Sequence, residues 1–183
     1  MKILVEECCL LIIDVQEKLI PLISNKNEII QTSLDLIDIA KNLKIPILLT
    51  EQYPKGLGKT VKQIRDLIPE NNSYIFEKTS FSCLGSLDFE KALKLLKKKQ
   101  VIIAGIESHI CVMQTVLDLK KINYDVFIVR GGIGSRKVED NKLSINRMLS
   151  QGVFLTNIEM LIFELVRDSN HSLFKYFSKK YVK

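Results

Sequence analysis

The stretch "VIIAGIESHICVMQT", residues 101–115, decides how this chain is read. An unbroken apolar run ends at Ala104-Gly105, a short polar passage follows, and a helical pattern covers 109–122 with Cys111 near its start. A continuous apolar run of this length suits a strand covered on both faces, as in a parallel sheet. Cys111 then stands at the mouth of a helix, just beyond the end of a buried strand.

The same alternation recurs along the whole chain. Strands are expected near 8–14, 45–50, 73–77, 101–105, 125–129 and 153–156. Helical patterns lie near 26–43, 59–68, 88–98, 109–122, 136–150, 157–167 and 171–180. Ser135 suits the N-cap of the helix at 136–150, and Gly152 suits its C-terminal stop. Repeated βα units imply a mostly parallel sheet with right-handed crossovers and helices on both faces. The expected architecture is one three-layer α/β domain over residues 1–183.

The totals agree. A chain of 183 residues that is 46% apolar and 26% charged has an ordinary globular composition. At this length about 70% of the unfolded surface would be buried. No apolar run reaches the roughly 18–20 residues needed to span a bilayer. Glu6-Glu7 interrupt the N-terminal apolar segment, so no secretory signal is expected and the cytoplasm is the expected location. The four cysteines, Cys8, Cys9, Cys83 and Cys111, contain no C-x-x-C pair, which argues against a disulfide framework or a zinc site. Much of the net charge of +6 sits in "KLLKKK" (94–99) and "KYFSKKYVK" (175–183). Lysines at helix ends and in a tail explain it, and nucleic acid is not an expected partner.

Sheets of this class place their sites at the carboxyl ends of the strands. Asp14 ends the first strand, Glu51 follows the second, Lys78 the third and Cys111 the fourth, so four reactive side chains reach one rim. Each has a plainer reading. Cys111 could be a small buried hydrophobe, Asp14 a helix N-cap, and Lys78 a surface lysine. If the three meet, the helix terminus and the ammonium would lower the Cys111 thiol and make the thiolate dominant. Cys83 in "KTSFSC" is a weaker competitor, and Cys8 and Cys9 read as strand packing. His109 lies two residues from Cys111, a spacing that does not share a helix face, and His171 is remote. A carboxylate must therefore accept the thiol proton. Gly105 permits a tight strand-to-helix turn. "RGGIGS" (130–135) lacks the form of a phosphate loop.

Together, Asp14 in "LLIIDVQEKL", Lys78 in "FEKTSFSCL" and Cys111 in "AGIESHICVMQTVLDL" resemble the isochorismatase-like cysteine hydrolases. The likeness runs through "LLTEQYPKGLGKTV" and "SQGVFLTNIEMLIFELV" and is nearest to the isochorismatase-domain-containing branch. It implies a Rossmann-like six-stranded sheet of order 3-2-1-4-5-6. It also implies a triad in which Cys111 is the nucleophile, Asp14 the proton acceptor and donor, and Lys78 the cation between them. The family's cis peptide would fall at Ile106–Glu107, with the Glu107 and Cys111 N–H groups forming an oxyanion hole. "EQYPKGLG" stands where metal-dependent relatives carry an Asp and paired histidines, so no metal and no cofactor is expected. The reaction implied is hydrolysis of a small amide or related acyl substrate through a thioester, with Gln52, Tyr53 and Phe81 as pocket walls. Homo-oligomers are common in this group. "VRGGIGSR" departs from the branch's pattern, and an oligomeric interaction protein with little chemistry is the alternative reading.

Overall fold

A computed structural model describes residues 1–69 and 71–182. Lys183, the last of the basic run at 175–183, lies outside them. Six parallel strands form one sheet: β1 (Cys8–Ile13), β2 (Ile47–Gln52), β3 (Ser73–Lys78), β4 (Gln100–Ile106), β5 (Asp125–Gly134) and β6 (Phe154–Thr156). Their spatial order is β3-β2-β1-β4-β5-β6, so the order reverses between β1 and β4. The principal helices are α1 (Lys26–Leu43), α4 (Leu87–Leu95), α5 (Met113–Lys121), α6 (Val138–Leu149), α7 (Ile158–Val166) and α8 (Phe174–Tyr181). Two single-turn pieces, α2 (Pro54–Leu57) and α3 (Lys62–Arg65), interrupt the β2–β3 connection.

Side chains alternate across a strand, and the sheet uses both faces. Cys8, Leu10 and Ile12 enter a core shared with α1 and α7, whereas Cys9, Leu11 and Ile13 enter a second core with Phe89, Val116 and Met148. Adjacent Cys8 and Cys9 thus pack on opposite sides, as strand residues. This two-sided burial explains why β1 and β4 read as solid apolar runs. Among the described residues no helix is long and apolar enough to cross a membrane.

Three elements differ from expectation. The helix expected at 59–68 shrinks to α3, because the chain before it is captured in extended form. Glu17 N–H donates to the Lys59 carbonyl, Val61 N–H donates to the Val15 carbonyl, and Gln16 bridges Thr60. Tertiary pairing has overridden local propensity. The second difference is β5, which runs five residues past 129. After a register shift in β4, Gly105 and Ile106 pair with Ile133 and Gly134, so "RGGIG" is strand rather than loop. Its glycines admit the start of α1: a Cβ on Gly131 would meet the Glu28 carboxylate at 2.7 Å, with φ at +78°. Third, Lys137 occupies the N-cap position of α6 without a side-chain capping bond, and Ser135 is fully buried and bonded elsewhere. Gly152 does end the α6 turn, in the left-handed conformation at φ +74°.

Candidate active site

The carboxyl ends of β1, β2, β3 and β4 build the site. β1 stops at Ile13, and Asp14 turns out of the strand with φ at +53°. Asp14 is not an N-cap: the next helical turn starts only at Ile20. Its side chain is fully buried. One oxygen, Oδ1, accepts from the Thr50 hydroxyl at 2.7 Å, and Oδ2 accepts from Lys78 Nζ at 2.7 Å. The ion-paired side chains are both wholly inaccessible.

Lys78 therefore is not a surface lysine. Nζ also donates to Gln52 Oε1 at 2.6 Å and to the Ser80 and Phe81 carbonyls at 3.2 and 3.1 Å. An ammonium has three protons, so four acceptors leave it saturated. Burial works against its charge, but Asp14, followed by Cys83 and Cys111, outweighs burial and holds Lys78 above the usual lysine value.

Cys111 lies in a π-helical turn, Ser108–Val112, that bridges β4 and α5. The Glu107 carbonyl accepts from the N–H groups of Ile110 and Val112, and the Ile106–Glu107 peptide is cis. Cys111 is nearly buried, at 7% exposure. Burial first, then the facing Asp14 charge and its hydrogen bond with the thiol, push Cys111 up to about 12, although Lys78 pulls the other way. This reverses the expectation of a dominant thiolate. Desolvation disfavours the charged form, and a neighbouring anion adds to it.

Around this centre the sequence-level candidates divide. Glu51 leaves the rim: it is buried, and Oε1 accepts from Thr60 N–H at 2.6 Å. Its strand neighbour Gln52 takes that place, but its side chain spans Lys78 and the Thr79 carbonyl. Gln52 braces the ammonium instead of forming an open wall. Tyr53 is 55% exposed and lines a cavity of about 410 Å³ with Lys55, Glu77, Lys78, Thr79 and Ser86. Cys111 does not line that cavity. Phe81 is 54% exposed, and its carbonyl rather than its ring is what the lysine engages. His109 turns away from the sulfur, its Nδ1 2.9 Å from Ser135 Oγ and its Nε2 3.9 Å from Asp140. Gly105 is not a strand-to-helix turn. It lies inside β4, where a Cβ would come within 2.2 Å of the Ile13 carbonyl oxygen.

Other participants had only faint sequence signals. Thr50 is a lone hydroxyl in the apolar run "ILLT" and sits opposite Ile13, next to Asp14. Gln16 is fully buried and clamps Gln52 through both ends of its amide, accepting from the Gln52 N–H and donating to its carbonyl. Ser108, Ser135 and Ser144 form a buried hydroxyl cluster under the π turn. Glu107 accepts from the Arg136 N–H at 3.0 Å and from its Nε at 3.1 Å. Among the described residues no group of three His, Cys, Asp or Glu side chains is placed to hold a metal ion.

Comparison with known proteins gives this geometry a family. The isochorismatase domain matches residues 8–160. The chain is 38% identical over 180 residues to isochorismatase family protein 1B of Dictyostelium discoideum, covering 95% of this chain and 85% of that protein. Among solved structures it resembles the MAR1 ribonuclease of Caenorhabditis elegans, with a TM-score of 0.93 and 39% identity over 100% of this chain and 93% of that one. It also resembles the YcaC protein of Escherichia coli, described as an octameric hydrolase of unknown specificity, with a TM-score of 0.90 and 26% identity over 99% and 91% of the two chains. The reversed six-stranded sheet, the domain match and relatives of this identity lead to one conclusion: the chain belongs to the isochorismatase family of hydrolases.

Proposed function

We propose that the protein is a metal-independent cysteine hydrolase acting on a small amide or related acyl substrate. The observation that carries this reading is the wholly buried Lys78–Asp14 ion pair set against the Cys111 thiol. A sulfur pushed up to about 12 is protonated at rest and needs a base at the moment of attack. Asp14 is that base. As its oxygen takes the S–H proton, the sulfur electron pair forms a bond to the substrate carbonyl carbon, and the carbonyl π pair moves onto oxygen. The Glu107 and Cys111 N–H groups receive the resulting oxyanion, each worth roughly 3–4 kcal/mol of barrier. The tetrahedral species collapses, the C–N bond breaks, and Asp14 returns its proton to the leaving nitrogen. Water then attacks the thioester while Asp14 takes its proton, and the departing sulfur is reprotonated.

Lys78 contributes a fixed positive charge. With every proton committed, it stabilises the anion on Asp14 before transfer and on sulfur after it. The commitment of both Glu51 and Gln52 to protein partners supports a reaction without a metal at the end of β2. The octameric description of the YcaC relative supports a homo-oligomer.

A panel of small amides and acyl esters, read by product release and intact mass, tests the reading. Turnover with a substrate-derived mass on Cys111 is expected, and Cys111→Ala should abolish both. Turnover that persists in Cys111→Ala removes the sulfur from the mechanism.

A further inference from the structure

We infer that Thr50 and Cys83 are positioning residues that form a one-way chain of donors to Asp14 and so direct its proton toward the cleft. The inference rests on the reading of Asp14 as the proton acceptor for Cys111. Its basis is the polarity of three consecutive hydrogen-bonding groups, all buried.

The Thr50 hydroxyl owns a single proton, which lies on Asp14 Oδ1 at 2.7 Å. Its lone pairs face the other way, and there Cys83 Sγ approaches to 3.8 Å as the donor. Burial first, and then Asp14, push the Cys83 thiol up to about 11, so the sulfur keeps the proton it donates. Cys83 therefore points its hydrogen at Thr50, and Thr50 points its own at Asp14. On the other oxygen Lys78 also only donates. A proton that Asp14 takes from Cys111 meets donors on both flanks. For Thr50 to accept it, the hydroxyl would have to turn its own hydrogen onto a sulfur, a weak acceptor. The open direction is back toward the reacting groups.

A second contact ties Cys83 to the nucleophile. Its backbone N–H donates to Thr115 Oγ1 at 3.0 Å, and that hydroxyl donates to the Cys111 carbonyl at 2.7 Å. One residue thus touches the support of the acid through its sulfur and the support of the thiol through its backbone. Burial of Cys83 would otherwise read as plain packing. The pair of hydrogen bonds in opposite directions is what packing does not require.

The test uses the full chain and the rate of iodoacetamide alkylation at Cys111, followed by intact mass and peptide mapping at pH 7. Thr50→Val keeps the shape and removes the hydroxyl, and it should slow alkylation about 10-fold or more. Thr50→Ser should return the rate to within about 3-fold of the parent. Cys83→Ala should slow it about 2- to 3-fold alone and add nothing in the Thr50→Val background, because it acts through that hydroxyl. Melting temperatures run alongside, and if Thr50→Val does not fold, Cys83→Ala alone decides. A Thr50→Val rate equal to the parent, failure of Ser to rescue, fully multiplicative effects, or a Cys83→Ala rate equal to the parent overturns the inference. Asp14→Asn separates the levels. If it slows alkylation while Thr50→Val does not, the donor chain fails and the base assignment stands. If Asp14→Asn alkylates like the parent, Asp14 is not the base and both fall.

Discussion

Replacing Lys78 by Met removes one partner of an ion pair that water does not reach. Both side chains are inaccessible at a separation of 2.7 Å, and the ammonium also satisfies Gln52 Oε1 and two carbonyls. Methionine fills similar volume, so the cost comes from the stranded Asp14 charge more than from a cavity. Removing one member of a buried pair costs about 3–5 kcal/mol, against a typical total of about 5–15 kcal/mol. At about 2–4 °C per kcal/mol for a chain of this length, the melting temperature should fall by roughly 6–20 °C. Urea denaturation followed by circular dichroism should show a lower midpoint at unchanged slope. Adding Asp14→Asn in the Lys78→Met background should restore about 1–3 kcal/mol, because the uncompensated charge is gone. A loss under about 1 kcal/mol, or strictly additive single and double variants, would refute the argument that charge pairing governs this site.

Three more outcomes follow from burial and backbone geometry. Desolvation raises all four thiols, Cys8 and Cys111 to about 12, Cys83 to about 11, and Cys9 also upward. The unfolded chain releases these protons from about pH 8.5 while the folded chain keeps them, so stability falls as pH rises, by about 1.4 kcal/mol per thiol per pH unit. Four thiols make that about 5 kcal/mol by pH 9.5, and a denaturation midpoint flat from pH 7.5 to 9.5 contradicts it. Lys78, held above the usual lysine value, contributes stability that persists below about pH 10.5 and is lost only above it. Gly105→Ala would place a methyl within 2.2 Å of the Ile13 carbonyl oxygen at a φ of +133°. Because the obstacle is backbone, a loss of about 3 kcal/mol or more is expected, and a variant within 1 kcal/mol of the parent would mean β1 and β4 separate easily.

Sequence and structure agree where burial alone controls the outcome. β1, β2 and β4 lie where continuous apolar runs place them, whereas β3 is an edge strand with Tyr74 and Ile75 exposed, and the adjacent Cys8 and Cys9 divide between two cores as a strand requires. The rim was legible for Asp14, Lys78 and Cys111, because strand ends are positions that topology determines. Glu51 and Gln52 were less legible. Strand alternation puts them on opposite faces, and the face belonging to the site depends on where β2 ends relative to β1. Thr50 was hidden because a hydroxyl inside a strand end has no motif around it. The fate of 59–68 and the extension of β5 depend on partners distant in sequence, Gln16 for the first and β4 for the second. The direction of the Cys111 shift was misjudged for a related reason. A nearby cation is visible in a sequence, whereas the depth at which three groups are buried together is not.

The course of β4 has an electrical consequence. The lysine-rich segment at 94–99 leads into its first residue, Gln100, and the Cys111 sulfur follows its last, Ile106. Six strand steps make a partition roughly 20 Å long, more than twice the screening distance of about 8 Å in physiological salt. These lysines and the thiol therefore occupy separate electrostatic compartments. Neutralising those lysines, by acetylation or by mutation, should change how the molecule moves in an electric field and leave the titration of the sulfur where it is.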